Sequence, residues 1–243
     1  MKKKPNIYTC LSPALLQLYD ISDSVVVIID VLRATSTIAT ALHNGAKAVI
    51  PVDSVADCVR IGNEMNAITA GERDGKIAEG LQYGNSPFEY PASFIANKIL
   101  VLTTTNGTKL LHMANSNGAH EIITGSFANF SAVCKHLVKQ KKSVLLACAG
   151  WKDRINIEDT LFAGAVIDNI KDHFEMNCDS SKIAASLYQE AKENLFDYMK
   201  TKEATHYQRL SSFGLEEDIK HCLLLDTAPV VAKFSEGKLV AEK

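Results

Sequence analysis

The chain has 243 residues, 47% of them hydrophobic and 22% charged, with a net charge of -2 at pH 7. This is enough apolar material for a large core in a single domain spanning 1–243, and the weak charge, with no basic run after Lys2, Lys3 and Lys4, argues against nucleic-acid or membrane-surface binding. No window is apolar for long enough to cross a bilayer and no signal-type stretch follows the lysines, so a cytoplasmic protein with a small-molecule partner is expected.

Strand-like runs are predicted at Asn6–Thr9, Val25–Asp30, Ala48–Val52, Ile99–Thr103, Glu121–Thr124 and Ser143–Ala147, with helical patterns between them. Ser12-Pro13 and Ser54 read as helix starts, each a capping side chain, and Gly45 as a helix stop. Alternation of this kind predicts an α/β sandwich with a largely parallel sheet, whose ligand site lies where strands end and helices begin. Residues 157–174 and 180–222 carry long helical patterns, so the part from about 175 reads as mainly helical. It ends in a hairpin, Val230–Phe234 and Lys238–Ala241 around Ser235-Glu236-Gly237. VVVIIDVLRATSTIATALHNGA and SVLLACAGWKDRINIEDTLFAGAV share one strand, turn and helix plan, which leaves an internal duplication open beside the ordinary grammar of a βα unit.

Four segments at predicted strand ends could carry chemistry. In VVVIIDVLRATST, Asp30 could bind a divalent cation while Arg33 pairs with phosphate or carboxylate; the competing reading is a capping cluster with an internal ion pair. AGERDGKIAEGLQYGNSP is too long and glycine-rich for an idle connection; it places Glu72 at a strand end with Arg73, Asp74 and Lys76 just beyond, and closes on the turn containing Asn85 and Ser86. In LVLTTTNGTKLL, the hydroxyls and amides of Thr103, Thr104, Thr105, Asn106, Gly107 and Thr108 could encircle an oxyanion, although threonine-rich strand ends also occur as ordinary caps. CAGWKDRINIEDT offers Arg154 with Glu158 and Asp159, carboxylates favoured by a helix dipole and also candidate metal ligands beside Asp30 and Glu72.

The cysteines, Cys10, Cys58, Cys134, Cys148, Cys178 and Cys222, lack the spacing of a zinc site and read mostly as core residues. Cys148 and Arg154 have the C-x5-R spacing of cysteine-dependent phosphatases, but Trp151 and Asp153 would crowd and repel a phosphate held between them. His43, His112, His120, His136, His173, His206 and His221 fall in helical or edge contexts and read as surface or core residues. Tyr83 could either pack or touch substrate.

Taken in order, IDVLRATSTIATAL, AGERDGKIAEGLQYGNSP, LTTTNGT, GSFAN and CAGW with IEDTLFAGA resemble the magnesium-dependent 2-phosphosulfolactate phosphatases. Most of the first two-thirds of the chain is covered, while the last third resembles the family mainly in length and in LDTAPVV. The resemblance implies a three-layer α/β/α fold and Mg2+-dependent hydrolysis of (2R)-2-phospho-3-sulfolactate to sulfolactate and phosphate, a step of coenzyme M synthesis. On that basis the catalytic residues are expected to be Asp30, Glu72 and Asp159, with Mg2+ on a subset of Asp30, Glu72, Glu158 and Asp159. Arg33, Asn85, Ser86 and the Thr104, Thr105, Asn106, Gly107, Thr108 turn are expected to bind substrate around its phosphate, with Arg73 and Arg154 on its carboxylate or sulfonate. Direct attack by water is preferred to an aspartyl phosphate because DVLRAT lacks a D-x-D pattern. A non-catalytic phospho-metabolite binder and a cysteine-dependent phosphatase are the alternatives, and a homo-oligomer is compatible with all three.

Overall fold

The structure is a computed structural model and describes residues 4–73 and 76–242. Its strands are β1 (Ile7–Cys10), β2 (Ser24–Ile29), β3 (Ala48–Val52), β4 (Ile68–Arg73), β5 (Lys76–Ile77), β6 (Ile99–Thr103), β7 (Glu121–Gly125), β8 (Ser143–Cys148), β9 (Ala232–Ser235) and β10 (Lys238–Ala241). The helices are α1 (Ala34–His43), α2 (Val55–Met65), α3 (Ala92–Ile95), α4 (Gly107–Ser116), α5 (Phe130–Gln140), α6 (Ile157–Ile170), α7 (Asp179–Ala191), α8 (Leu195–Thr201), α9 (Thr205–Ser212) and α10 (Glu216–Cys222).

Strand residues alternate between two cores, which makes the fold three layers deep. In β2, Val25, Val27 and Ile29 join one apolar cluster with Phe162 and Val166 of α6. Val26 and Ile28 join the other, with Ile38 and Leu42 of α1 and Leu110 and Leu111 of α4. Period-two alternation with both faces apolar is what a strand covered by helices on either side requires, and burying each such side chain contributes roughly 1.5–3 kcal/mol.

All ten strands form one sheet in the order β1-β8-β2-β7-β9-β10-β3-β6-β4-β5. β1, β8, β2 and β7 pair in parallel, as do β3, β6 and β4. The hairpin β9-β10 joins these two parallel halves by antiparallel contacts, Ile123 opposite Lys233 on one side and Leu239 opposite Val49 on the other. Its turn at Glu236 and Gly237 has φ of 51° and 77°, the left-handed pair that suits a two-residue hairpin.

Several boundaries differ from the sequence reading. β4 ends at Arg73, so Glu72 lies at a strand end as expected, whereas Arg73 and Lys76, expected just beyond the strand, are drawn into the β4–β5 pairing, Glu72 opposite Ile77 and Arg73 opposite Lys76. Asp74 lies outside the described residues. The long pattern at 180–222 divides into α7 to α10, because Asn194, Ala204 and Leu215 each begin a new helix. The two segments with a shared plan are adjacent parallel strands, β2 and β8, whose helices pack on opposite faces of the sheet. Tyr83 packs its ring on Phe94, with centroids 4.9 Å apart.

Candidate active site

The carboxyl ends of β2, β4, β6 and β8 meet over the seam between the two half-sheets. They enclose a cavity of about 260 Å³ lined by Asp30, Leu32, Arg33, Glu72, Arg73, Asn85, Thr104, Thr105, Asn106, Trp151, Lys152, His206 and Arg209.

Asp30 follows β2 directly, and its backbone is fixed by the next helix. Its carbonyl accepts from the Thr35 amide at 2.9 Å and its amide donates to Thr35 Oγ1 at 3.1 Å. The neighbouring hydroxyls serve this turn and the adjoining loop: Ser36 donates to the Val31 carbonyl at 2.8 Å, and Thr37 to the Asn85 carbonyl at 3.0 Å. Asp30 packs against the start of α4, where a Cβ on Gly107 would lie 2.8 Å from Asp30 Oδ2. Only glycine admits the carboxylate there. Burial pushes the Asp30 carboxyl up to about 6, with the like charges of Glu158 and Glu72 adding to the shift.

Arg33, 4% exposed, spans the seam. Its Nη1 donates to Asp218 Oδ1 at 2.7 Å, and its Nη2 lies 3.8 Å from Glu72 Oε2. Arg73 donates to its neighbour's carbonyl, that of Glu72, at 2.7 Å and to Thr103 Oγ1 at 3.3 Å. Among the described residues Arg73, Lys152 and Arg209 make no ion pair with a carboxylate.

The loop after β8 turns at Gly150, Lys152 and Asp153, all with positive φ. Lys152 donates its amide to Asn106 Oδ1 at 3.3 Å, and Lys109 Nζ grips Asp153 at 2.9 Å. This brings Trp151 and Lys152 to the cavity, with Lys152 Nζ 4.6 Å from the indole ring.

Six of the expected residues lie elsewhere. Arg154 is exposed and does not line the cavity; its backbone pairs with Trp151 at 3.0 Å in both directions, and Lys152 takes the place at the wall. Ser86 caps a 3-10 turn by accepting from the Phe88 amide at 3.3 Å. Gly107 and Thr108 belong to the first turn of α4, where Thr108 donates to the Thr104 carbonyl at 3.0 Å. Asp159 is buried behind the wall, accepting from Val31 N at 2.9 Å, Gly150 N at 3.0 Å and Asn156 Nδ2 at 2.9 Å. It ties the β2 and β8 turns together. Burial and the adjoining Glu158 and Asp30 push its carboxyl up, against the pull of those donors. Glu158, fully buried, is held through Oε1 by His206 Nδ1 at 2.5 Å.

His206, Arg209, Trp151, Lys152 and Asp218 reach the site without having been read as functional from the sequence. His206 and Arg209 are one helical turn apart, an i,i+3 pair that shares a face, which was the available signal.

Among the described residues no three His, Cys, Asp or Glu side chains group to enclose a metal ion. Magnesium does not need such a cage, since it takes one or two carboxylates and fills its shell with water and phosphate oxygens. Asp30 fits that demand: it is a buried carboxylate near Glu158 and Glu72, and although His206 lies close enough to oppose their effect, no basic side chain makes an ion pair with it among the described residues. Glu72 reaches the same cavity, and Glu158 Oε2 is buried with no hydrogen-bond partner among the described residues.

Cys148 is wholly buried, and burial pushes its thiol well above the usual range, with Asp159 adding to the effect. A thiolate nucleophile needs the opposite environment. Among the described residues no helix is long and apolar enough to cross a membrane.

A family model described as 2-phosphosulpholactate phosphatase matches residues 10–237. A probable 2-phosphosulfolactate phosphatase of Caldanaerobacter subterraneus subsp. tengcongensis is 39% identical over 222 residues, covering 90% of each chain. Another, of Thermotoga petrophila, is 41% identical over 217 residues, covering 89% of this chain and 92% of the relative. A third, of Clostridium perfringens, is 34% identical over 220 residues, covering 88% and 87%. With a strand-end cavity rich in cations, these matches place the chain among the phosphoric monoester hydrolases. Within that class, it belongs to the 2-phosphosulfolactate phosphatase family.

Proposed function

We propose that the chain hydrolyses (2R)-2-phospho-3-sulfolactate, or a close phosphorylated carboxylic acid, to the hydroxy acid and phosphate, with Mg2+ as cofactor. The observation that carries this reading is the charge pattern of the cavity. Three cations that make no ion pair with a carboxylate among the described residues, Arg73, Lys152 and Arg209, surround about 260 Å³ of space at whose edge lies Asp30, which makes no ion pair with a basic side chain among those residues. A small acid bearing phosphate and two further anionic groups matches the cations, and a divalent ion matches the carboxylate.

Asp30 and Glu72 would hold the magnesium ion, which would supply positive charge to the phosphoryl oxygens. The amides and hydroxyls of Thr104, Thr105 and Asn106, at the start of α4, receive the phosphoryl group. Arg33, fixed by Asp218, bridges the two half-sheets and faces the developing negative charge. Glu72, oriented by Arg33, accepts a proton from the attacking water as the bond from phosphorus to the opposite ester oxygen breaks, and that oxygen takes up a proton from solvent to leave as the hydroxy acid.

Phosphate release measured over a panel of phosphorylated three-carbon acids, with and without EDTA, tests the reading. Release is expected with Mg2+ and its loss on chelation. Binding without turnover would leave a phospho-metabolite binder instead. Activity that survives EDTA and vanishes in Cys148→Ser would support the cysteine-dependent alternative.

A further inference from the structure

The wall contributed by α9 contains a chain of hydrogen bonds whose direction can be assigned. Arg209 Nη2 lies 2.7 Å from His206 Nε2, and His206 Nδ1 lies 2.5 Å from Glu158 Oε1. A guanidinium only donates, so Nε2 is the accepting nitrogen and carries no hydrogen. The ring hydrogen therefore sits on Nδ1 and is donated to the buried carboxylate. The order is carboxylate, imidazole, guanidinium.

Two consequences follow. Both ring nitrogens of His206 are engaged, so the imidazole is placed to hold its neighbour rather than to exchange protons with substrate. Arg209 is in turn held from two sides, by His206 and by the indole of Trp151, whose ring centre lies 4.8 Å from the guanidinium carbon. A planar, pre-oriented guanidinium with no carboxylate partner among the described residues is suited to binding a carboxylate or sulfonate through two N–H groups. The phosphoryl position proposed above lies at another wall of the cavity, formed by Asp30 and the residues leading into α4.

We propose that Arg209 is a specificity-determining residue that binds an acid group of the substrate not transferred in the reaction, and that Glu158 and His206 are positioning residues for it. The proposal rests on the hydrolase reading above.

The test uses the full chain with Mg2+ and three substrates: phosphosulfolactate and two analogues, one lacking the sulfonate and one lacking the carboxylate. Arg209→Met is expected to raise KM for the full substrate by about 100-fold while kcat changes by less than about threefold. The penalty should vanish on one analogue, the one without the group that Arg209 binds. Arg209→Lys should recover part of the loss, and His206→Gln should give a weaker version of the same selective KM effect with the pH profile in place. An equal penalty on both analogues, or a His206→Gln effect confined to kcat with a displaced pH profile, overturns the assignment while the hydrolase reading stands. Calorimetric binding of sulfolactate separates the two claims. If wild-type enzyme releases no phosphate yet binds sulfolactate with an affinity that falls in Arg209→Met, the hydrolase reading fails and the assignment survives. Binding unchanged in Arg209→Met overturns the assignment.

Discussion

Asp30 is held in an environment that opposes its own charge. Burial and the nearby Glu158 and Glu72 raise its carboxyl to about 6, above the ordinary value of 3.8. A group whose folded pKa is raised contributes stability that is fully present below the unfolded value and is lost as pH rises through the folded one. In metal-free protein, Asp30→Asn should therefore gain on the wild type between about pH 4 and 6, by roughly 2–3 kcal/mol, while losing activity by at least about 1,000-fold. Urea midpoints at the two ends of that range, with turnover on the same preparations, measure both. Gly107 makes the complementary case. A methyl group there would meet Asp30 Oδ2 at 2.8 Å, and Ala is otherwise a better helix former. Gly107→Ala is expected to lower kcat/KM by about 10- to 100-fold through displacement of the carboxylate, with stability within about 1 kcal/mol of wild type.

The terminal hairpin shows how an element can be legible in the sequence while its place is not. Its strands and turn follow from Val230–Phe234, Glu236-Gly237 and Lys238–Ala241, but a hairpin signal says nothing about which strands it will join. In the fold it closes the gap between β7 and β3, and polar contacts fasten it there. Lys233 of β9 donates to Glu121 Oε2 at 2.7 Å, Glu121 also bonds His136 of α5, and His136 Nδ1 lies 3.0 Å from Glu242. Burial alone would raise the Glu121 carboxyl, yet Lys233 and His136 hold it below its usual 4.5. A depressed carboxylate contributes stability above its unfolded pKa and loses it as pH falls through the folded one. Glu121→Gln should thus cost about 1–3 kcal/mol at pH 7, and the difference from wild type should shrink below about pH 4.5, as read from denaturant midpoints. The α6 and α7 contact depends on Gly164, where a Cβ would stand 2.1 Å from the Ala184 carbonyl oxygen. Gly164→Val should cost about 2–4 kcal/mol by thermal unfolding, since rigid backbone cannot move aside as a side chain can.

At the scale of the whole molecule, a net charge of -2 conceals a cavity lined by Arg73, Lys152 and Arg209, which make no ion pair with a carboxylate among the described residues. Attraction of a multiply anionic substrate to that cavity is screened by salt. KM should rise several-fold between about 50 and 500 mM NaCl while kcat stays nearly constant, which steady-state kinetics at fixed Mg2+ would show.

Much of this protein was written locally. The alternation of strands and helices, the helix starts at Ser12-Pro13 and Ser54, and the strand-end placement of Asp30, Glu72 and Thr104–Asn106 follow from periodicity, caps and turn chemistry, each set by neighbours within a few residues. Tertiary structure alone decided that the hairpin bridges two parallel half-sheets, that Asp159 faces backbone amides, that Arg154 stays at the surface, and that α9 brings His206 and Arg209 to the cavity. The reason is physical. Hydrophobic periodicity fixes which face of an element is buried, but the partner it meets depends on packing between segments far apart in the chain, and so does the wall of the site that no local motif encoded.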